Sequence, residues 1–322
     1  MAHKIEEKTL VIIGSRGSKL AMTQTEWVRD RIKFFRPDLE FHIKKISTSG
    51  DKITDVPLAK AGGKGLFTKE IENELLSDDI DLAVHSMKDL PTELPKGLTI
   101  GVVPLREDAR DVLVSRDNKK FRELPDDAVI GTCSLRRRAQ LLAVRPGLQV
   151  TDLRGNLDTR LRKIAEGKFD AVVLACAGIR RLGRQEVIAD VLDLDVMIPA
   201  VGQGALCIEI REGNPFVEEL LRPLNHAETE RAIRAERALM AELEGGCQVP
   251  VGGHARMEEG TLMLYGVVAS LGGERLVRAQ DAGNPDEPEE LGKRVAARLM
   301  MMGAKEILDE IKGYEECPPT GN

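Results

Sequence analysis

The sequence predicts an α/β protein: two similar blocks of alternating strands and helices, then a smaller α+β unit. Three observations carry this. Short apolar, β-branched runs recur, each closed by a glycine or polar turn and followed by helical spacing. That order runs through residues 1–104 and again through 110–198. The last third departs from it with a helix, a glycine-centred hairpin and a terminal amphipathic helix. Strand–helix alternation argues for parallel sheets covered by helices on both faces. A chain of 322 residues is long enough for three separate cores.

The first strand is read at residues 9–14, an apolar run ending in Gly14. A loop, Ser15-Arg16-Gly17-Ser18, leads to a helix from Leu20 past Trp27 and Ile32, stopped by Pro37. A strand at 41–47, a loop Gly62-Gly63-Lys64-Gly65, a helix at 66–76 and a strand at 80–85 complete the block. In the second block, strands fall at 128–131, 148–153 and 169–175. Between them lie a helix that Ser134 can cap, running to Val144, and another over 157–166. Residues 199–204 look like a crossing, and the strand at 206–210 returns to the first sheet. The expected division is therefore 1–104 with 205–222, then 110–198, then 227–322. Within the last unit a helix spans 228–243. A hairpin pairs 261–270 with 274–280 about Gly272-Gly273, a dipeptide suited to a primed turn. The final helix runs over 289–311 with Leu291, Val295, Leu299, Ile307, Leu308 and Ile311 in step.

Composition narrows the function. The net charge is −6 and only ten aromatics occur, so a nucleic-acid partner is not expected. No apolar run approaches the roughly 18–20 residues of a membrane span. Residues 1–8 are charged and lack a secretory signal's apolar stretch. A cytoplasmic location with no membrane partner is the expectation. The five cysteines (Cys133, Cys176, Cys207, Cys247, Cys317) are widely spaced with no C-x-x-C pair, which disfavours a disulfide framework or a metal site.

The strongest signal is where the arginines sit. Between Gly131 and Arg184, ten Arg and two Lys face four acids, a local excess of eight positive charges in an acidic chain. Arg136, Arg137 and Arg138 fall in a first helical turn, where the helix dipole disfavours cations. Arg154 and Arg160 flank another helix start, and Arg16 precedes the first helix. Each turn follows the carboxyl end of a strand, the edge where open α/β sheets bind ligands. One cluster alone would pass for a solvated charged face. Three at strand-to-helix turns point to a ligand with several anionic groups. Neither G-x-x-x-x-G-K-[ST] nor G-x-G-x-x-G spacing is present, so nucleotides are not indicated. Paired guanidinium planes suit carboxylates.

Asp89, in Ser86-Met87-Lys88-Asp89-Leu90-Pro91, belongs to the same edge. It reads either as a turn-capping aspartate paired with Lys88 or as a group that stabilises a cationic intermediate or relays protons. Surrounding cations favour the carboxylate, whereas proton donation needs the acid, and both roles stay open. His85 reads as a packed strand-end histidine. Cys247, in Glu244-Gly245-Gly246-Cys247-Gln248-Val249-Pro250, follows a helix C-terminus, which disfavours a thiolate. A covalent attachment point is possible chemistry there.

Six motifs, in order, resemble the porphobilinogen deaminase (hydroxymethylbilane synthase) family. They are Gly62-Gly63-Lys64-Gly65-Leu66-Phe67, Ala83-Val84-His85-Ser86-Met87-Lys88-Asp89, Gly131-Thr132-Cys133-Ser134-Leu135-Arg136-Arg137, Leu153-Arg154-Gly155-Asn156, Pro199-Ala200-Val201-Gly202-Gln203-Gly204 and the Cys247 segment. The resemblance implies two domains like type II periplasmic binding proteins plus a small C-terminal α+β domain. It implies a monomeric transferase of porphyrin and heme biosynthesis that condenses four porphobilinogen molecules head to tail with loss of ammonia. A dipyrromethane cofactor would be tethered by a thioether to Cys247. Asp89 would be catalytic, assisting ammonia loss and stabilising the azafulvene cation. Ser86, Lys88, Asp89, Thr132, Ser134, Arg136, Arg137, Asn156 and Arg160 would bind the cofactor. Arg16, Ser18, Gln24, Lys64, Arg154, Arg160 and Arg181 would hold substrate or the growing chain, with Lys64 on a mobile loop. Cys133 departs from a commonly seen serine, and Arg180 from a frequent lysine. The alternative is a non-catalytic anion-binding protein of the same fold. It explains the arginines but not Asp89 among cations or the Cys247 turn. A secreted binder would need a signal peptide and a regulator a helix-turn-helix, and neither is found.

Overall fold

The computed structural model describes residues 9–52, 65–243 and 249–316. Lys64 and Cys247 lie outside the described residues.

In the first sheet β1 (Leu10–Arg16) pairs in parallel with β2 (Glu40–Ile46) and β3 (Leu82–Ser86). Alternation along β1 divides its side chains between two cores. Val11 and Ile13 pack with Val28 and Ile32 of α1 (Lys19–Phe35), while Ile12 faces Ile71 and Leu75 of the opposite layer. After β2 come a single turn, α2 (Ser49–Lys52), and then α3 (Lys69–Leu76), which carries Ile71 and Leu75. β4 (Leu98–Val102) lies at the edge. The second sheet contains β5 (Asp111–Ser115), β6 (Val129–Gly131), β7 (Gln149–Thr151), β8 (Ala171–Ala175) and β9 (Asp190–Val191). It is covered by α4 (Leu135–Val144) on one face, and by α5 (Leu157–Ala165) and α6 (Cys176–Arg181) on the other.

The sheets are mixed rather than parallel. β10 (Leu206–Arg211) returns to the first sheet, as expected, but runs antiparallel between β3 and β4. β5 runs antiparallel between β8 and β9. The two sheets share one plan, β2-β1-β3-β10-β4 and β7-β6-β8-β5-β9. In each, the fourth strand is the first one formed after the chain crosses from the other sheet. A crossing strand enters against the direction of its neighbours, which alternation along the sequence cannot express.

The C-terminal domain packs α8 (Ala227–Glu242), which follows α7 (Pro215–Leu221), against a three-stranded antiparallel sheet, β11 (Val251–Glu258), β12 (Thr261–Ala269) and β13 (Leu276–Gly283). β11 is a strand beyond the expected hairpin. The hairpin closes through a four-residue loop, with Ser270 N–H donating to Arg275 O at 2.8 Å. Gly273 alone of the two glycines has positive φ, at 78°, so the primed two-residue turn does not form. The last helix is two helices, α9 (Pro288–Leu299) and α10 (Lys305–Glu316), separated by a π-turn where Gly303 adopts φ 101°. The apolar residues stay in step across this break, which is why periodicity reads as one helix. Among the described residues no helix is long and apolar enough to cross a membrane.

Candidate active site

The turns expected to hold an anionic ligand lie at the carboxyl ends of β1, β3, β6, β7 and β8. β3 ends at Ser86, whose hydroxyl donates to Gln24 Oε1 at 3.2 Å. Gln24 is buried in α1, so this contact ties the helix to the strand end. A single 3₁₀ turn, Met87–Asp89, then presents Lys88 and Asp89. The crossing packs directly on this turn. Gly202 has φ 73°, and a Cβ there would stand 3.0 Å from Lys88 N, so both conformation and space demand glycine.

The second sheet supplies the cations. Ser134 caps α4, its hydroxyl accepting from Arg137 N–H, and Thr132 Oγ1 accepts from Ser134 N–H at 3.2 Å. The capped turn aims Arg136 and Arg137 inward, where both are buried. Their counter-ion is Asp111, at the start of β5. Arg136 Nη1 donates to Asp111 Oδ2 at 2.8 Å and to Ile198 O at 2.7 Å. Arg137 Nε donates to Asp111 Oδ1 at 2.9 Å and its Nη1 to Val173 O at 3.1 Å. Gln203, from the crossing, adds a donation from Nε2 to Asp111 Oδ1 at 3.0 Å. Burial alone would raise the Asp111 carboxyl, but Arg136 and Arg137 overcome it and hold it at about 2. Each guanidinium keeps N–H groups beyond those spent on Asp111, since arginine has five.

These groups form one electrostatic neighbourhood with the Asp89 turn. Lys88 is pushed down to about 8, first by burial, with Asp89 and Asp111 opposing and Arg137 and Arg136 adding to the depression. Arg160 falls to about 10, through burial and then Arg137. Its Nε donates to Gly155 O at 2.8 Å. Asn156 caps α5, its Oδ1 accepting from Thr159 N–H at 2.9 Å. Arg154 Nη2 is buried with no hydrogen-bond partner among the described residues. An orphaned guanidinium nitrogen at this edge fits an absent anion.

The expected substrate arginines divide. Arg181, at the end of α6, donates from Nη2 to Gly204 O at 2.7 Å and drops to about 10 through burial. Arg16 turns onto Asp51, with Nη2 and Oδ1 2.5 Å apart, and its guanidinium lies 4.1 Å from the Phe67 ring centroid. Ser18 caps α1, its hydroxyl accepting from Ala21 N–H at 3.3 Å. His85 is buried, with Nε2 3.0 Å from Glu209 Oε2, and so faces the sheet interior. Sequence reading missed Asp111, Asp51 and the acceptor role of the crossing. An aspartate opening the apolar run Val112-Leu113-Val114 was the available sign of the first.

The residues suit a ligand bearing several carboxylates: Lys88 and Asp89 share one electrostatic neighbourhood with Arg136, Arg137 and Asp111, and Arg154 has an orphaned nitrogen at the same sheet edge. Comparison with known proteins identifies the family. A family model described as "Porphobilinogen deaminase, dipyromethane cofactor binding domain" matches residues 11–219, and one for the C-terminal domain of the same family matches 231–301. The porphobilinogen deaminase of Desulforudis audaxviator is 54% identical, covering 94% of this chain and 98% of its own. That of Carboxydothermus hydrogenoformans is 52% identical over 95% and 98%. Among solved structures, the BenM effector-binding domain with benzoate is similar at TM-score 0.41 and 12% identity, covering 67% of this chain and 90% of its own. With matched regions spanning all three sheets and relatives at half identity over nearly the whole length, the chain belongs to the porphobilinogen deaminase family.

Proposed function

We propose that the chain is a hydroxymethylbilane synthase: it condenses four porphobilinogen molecules head to tail, releasing ammonia, from a dipyrromethane primer held by a thioether to Cys247. The observation that carries this reading is the joining of Lys88 and Asp89 from one sheet with Arg136, Arg137 and Asp111 from the other. When bound, the dipyrromethane would supply the free pyrrole α-carbon to which the first unit is joined with loss of a proton, and each later unit would join the end of the growing chain.

The protein's own residues have three tasks. Arg136, Arg137, Lys88 and Arg160, with Thr132, Ser134, Ser86 and Asn156, bind the acetate and propionate groups of the primer. Each charge-assisted contact is worth roughly 1.5–3 kcal/mol. Arg154, Arg181, Arg16, Ser18, Gln24 and Lys64 receive the incoming substrate or the growing chain. For Arg16 this requires release from Asp51. Asp89 would contact pyrrole N–H groups and stabilise the positive charge left on the substrate when its C–N bond breaks and ammonia leaves.

The division into 1–104 with 205–222, 110–198 and 227–322 is supported by the sheets, each of which draws its strands from one of these ranges. A monomer in the cytoplasm completes the reading; the free thiols Cys133, Cys176 and Cys207 fit a reducing compartment.

The test is the intact mass of the purified protein with peptide mapping. An excess of two porphobilinogen units less two ammonias, on Cys247, is the expected result. An unmodified protein that also fails to release ammonia from porphobilinogen would return it to the class of anion binders.

A further inference from the structure

Two consecutive residues of α8 reach out of the C-terminal domain. Glu236 is fully buried and grips the crossing: its Oε2 accepts from Gly202 N–H at 2.7 Å, and its Oε1 pairs with Arg106 Nη1 at 2.6 Å. Since Gly202 packs on Lys88, this holds the Asp89 turn from one side. Arg237 holds it from the other. Its Nη2 donates to Pro91 O at 2.9 Å and to Thr92 O at 2.7 Å, just beyond Asp89. Pro91 has no N–H to offer a ladder, so its carbonyl and its neighbour's are the handles by which this loop can be fastened.

The contact is unusual in kind. Burial lowers the Arg237 guanidinium, with Cys207 and Glu209 opposing, yet the hydrogen-bond partners of Nη2 are neutral carbonyls. Desolvating a cation for carbonyls costs more than a neutral donor would. The helix that does this ends at Glu242, immediately before the segment that contains Cys247. We infer that Arg237 is a positioning residue: it sets the placement of the Asp89 turn relative to the end of α8, and so the approach of Asp89 to the reacting group. This rests on the function proposed above. A cavity of about 360 Å³ lined by Thr92, Ile100, Val103, Ile233 and Arg237 lies beside the contact, so the loop has room to relax if the guanidinium is removed.

Arg237→Met keeps the apolar stem and removes the donors; Arg237→Lys keeps a donor and the charge. Both variants should carry the primer at wild-type occupancy by intact mass. In Arg237→Met, kcat per loaded molecule should fall on the order of tenfold to a hundredfold with KM within about twofold, as an ångström-scale misplacement does. Arg237→Lys should recover much of it. Amide exchange of a peptide spanning 87–97 should quicken in Arg237→Met, primer-loaded or not, while β10 is unchanged. Unchanged exchange, faster exchange with unchanged kcat, or a general loosening with lost occupancy would each overturn the assignment. If the wild-type chain itself lacks primer and turnover, the proposed function fails instead, and exchange alone decides whether Arg237 holds the turn.

Discussion

Replacing Asp111 with asparagine should destabilise the second α/β domain, and by an amount that depends on whether the primer is bound. Asp111 is fully buried and receives Arg136, Arg137 and Gln203. Its carboxyl is held at about 2 against an ordinary value of 3.8, despite burial, which alone would raise it, because both arginines favour the charged form. At about 1.36 kcal/mol per pKa unit that gap is worth about 2 kcal/mol. Leaving two buried guanidiniums without their carboxylate raises the expected loss toward about 3–5 kcal/mol. Because the folded-state pKa is depressed, the contribution is complete above the unfolded value. It is lost as pH falls from about 4 toward about 2. Urea unfolding of the primer-free protein at pH 7 should therefore show a lower midpoint in Asp111→Asn at unchanged slope. The difference should shrink below pH 4. In the primer-loaded protein the ligand's carboxylates supply a second counter-charge, and the penalty should be smaller. A loss under about 1 kcal/mol in the primer-free chain would refute the claim that Asp111 carries the arginine pair. An equal loss with and without primer would refute contact between that pair and the ligand.

Other expectations follow from the same geometry. Asp89→Asn should fold and carry the primer by intact mass, yet lose turnover by about a hundredfold or more, because the group that stabilises the cation is neutral; near-normal ammonia release would remove Asp89 from the chemistry. Lys88, held at about 8, loses its proton as pH rises through that value, so kcat/KM should fall on the alkaline side, and Lys88→Arg should abolish that limb. Arg154 has a buried nitrogen with no hydrogen-bond partner among the described residues, so Arg154→Leu should leave the urea midpoint nearly unchanged. It should instead raise KM roughly tenfold to a hundredfold, the value of one charge-assisted bond.

The sequence determined by itself what local chemistry controls. Short apolar runs marked β1, β3, β6, β8 and β10, and Ser134 marked the start of α4, whereas the caps at Ser18 and Asn156 emerged from the structure. The arginines at strand-to-helix turns signalled an anionic ligand, because a helix N-terminus penalises cations that have no local reason to be there. Only the tertiary structure decided how those cations are satisfied. Asp111 lies 25 residues before Arg136, on a strand whose antiparallel entry follows from the crossing rather than from any periodicity. Arg16 meets Asp51 and Arg237 meets Pro91 and Thr92 across still longer separations along the chain. Periodicity runs through Gly303 unbroken, while a backbone φ of 101° splits the last helix. Pairings between residues far apart along the chain and glycine conformations at breaks are fixed by which elements come into contact, so they become legible only when the sheets are assembled.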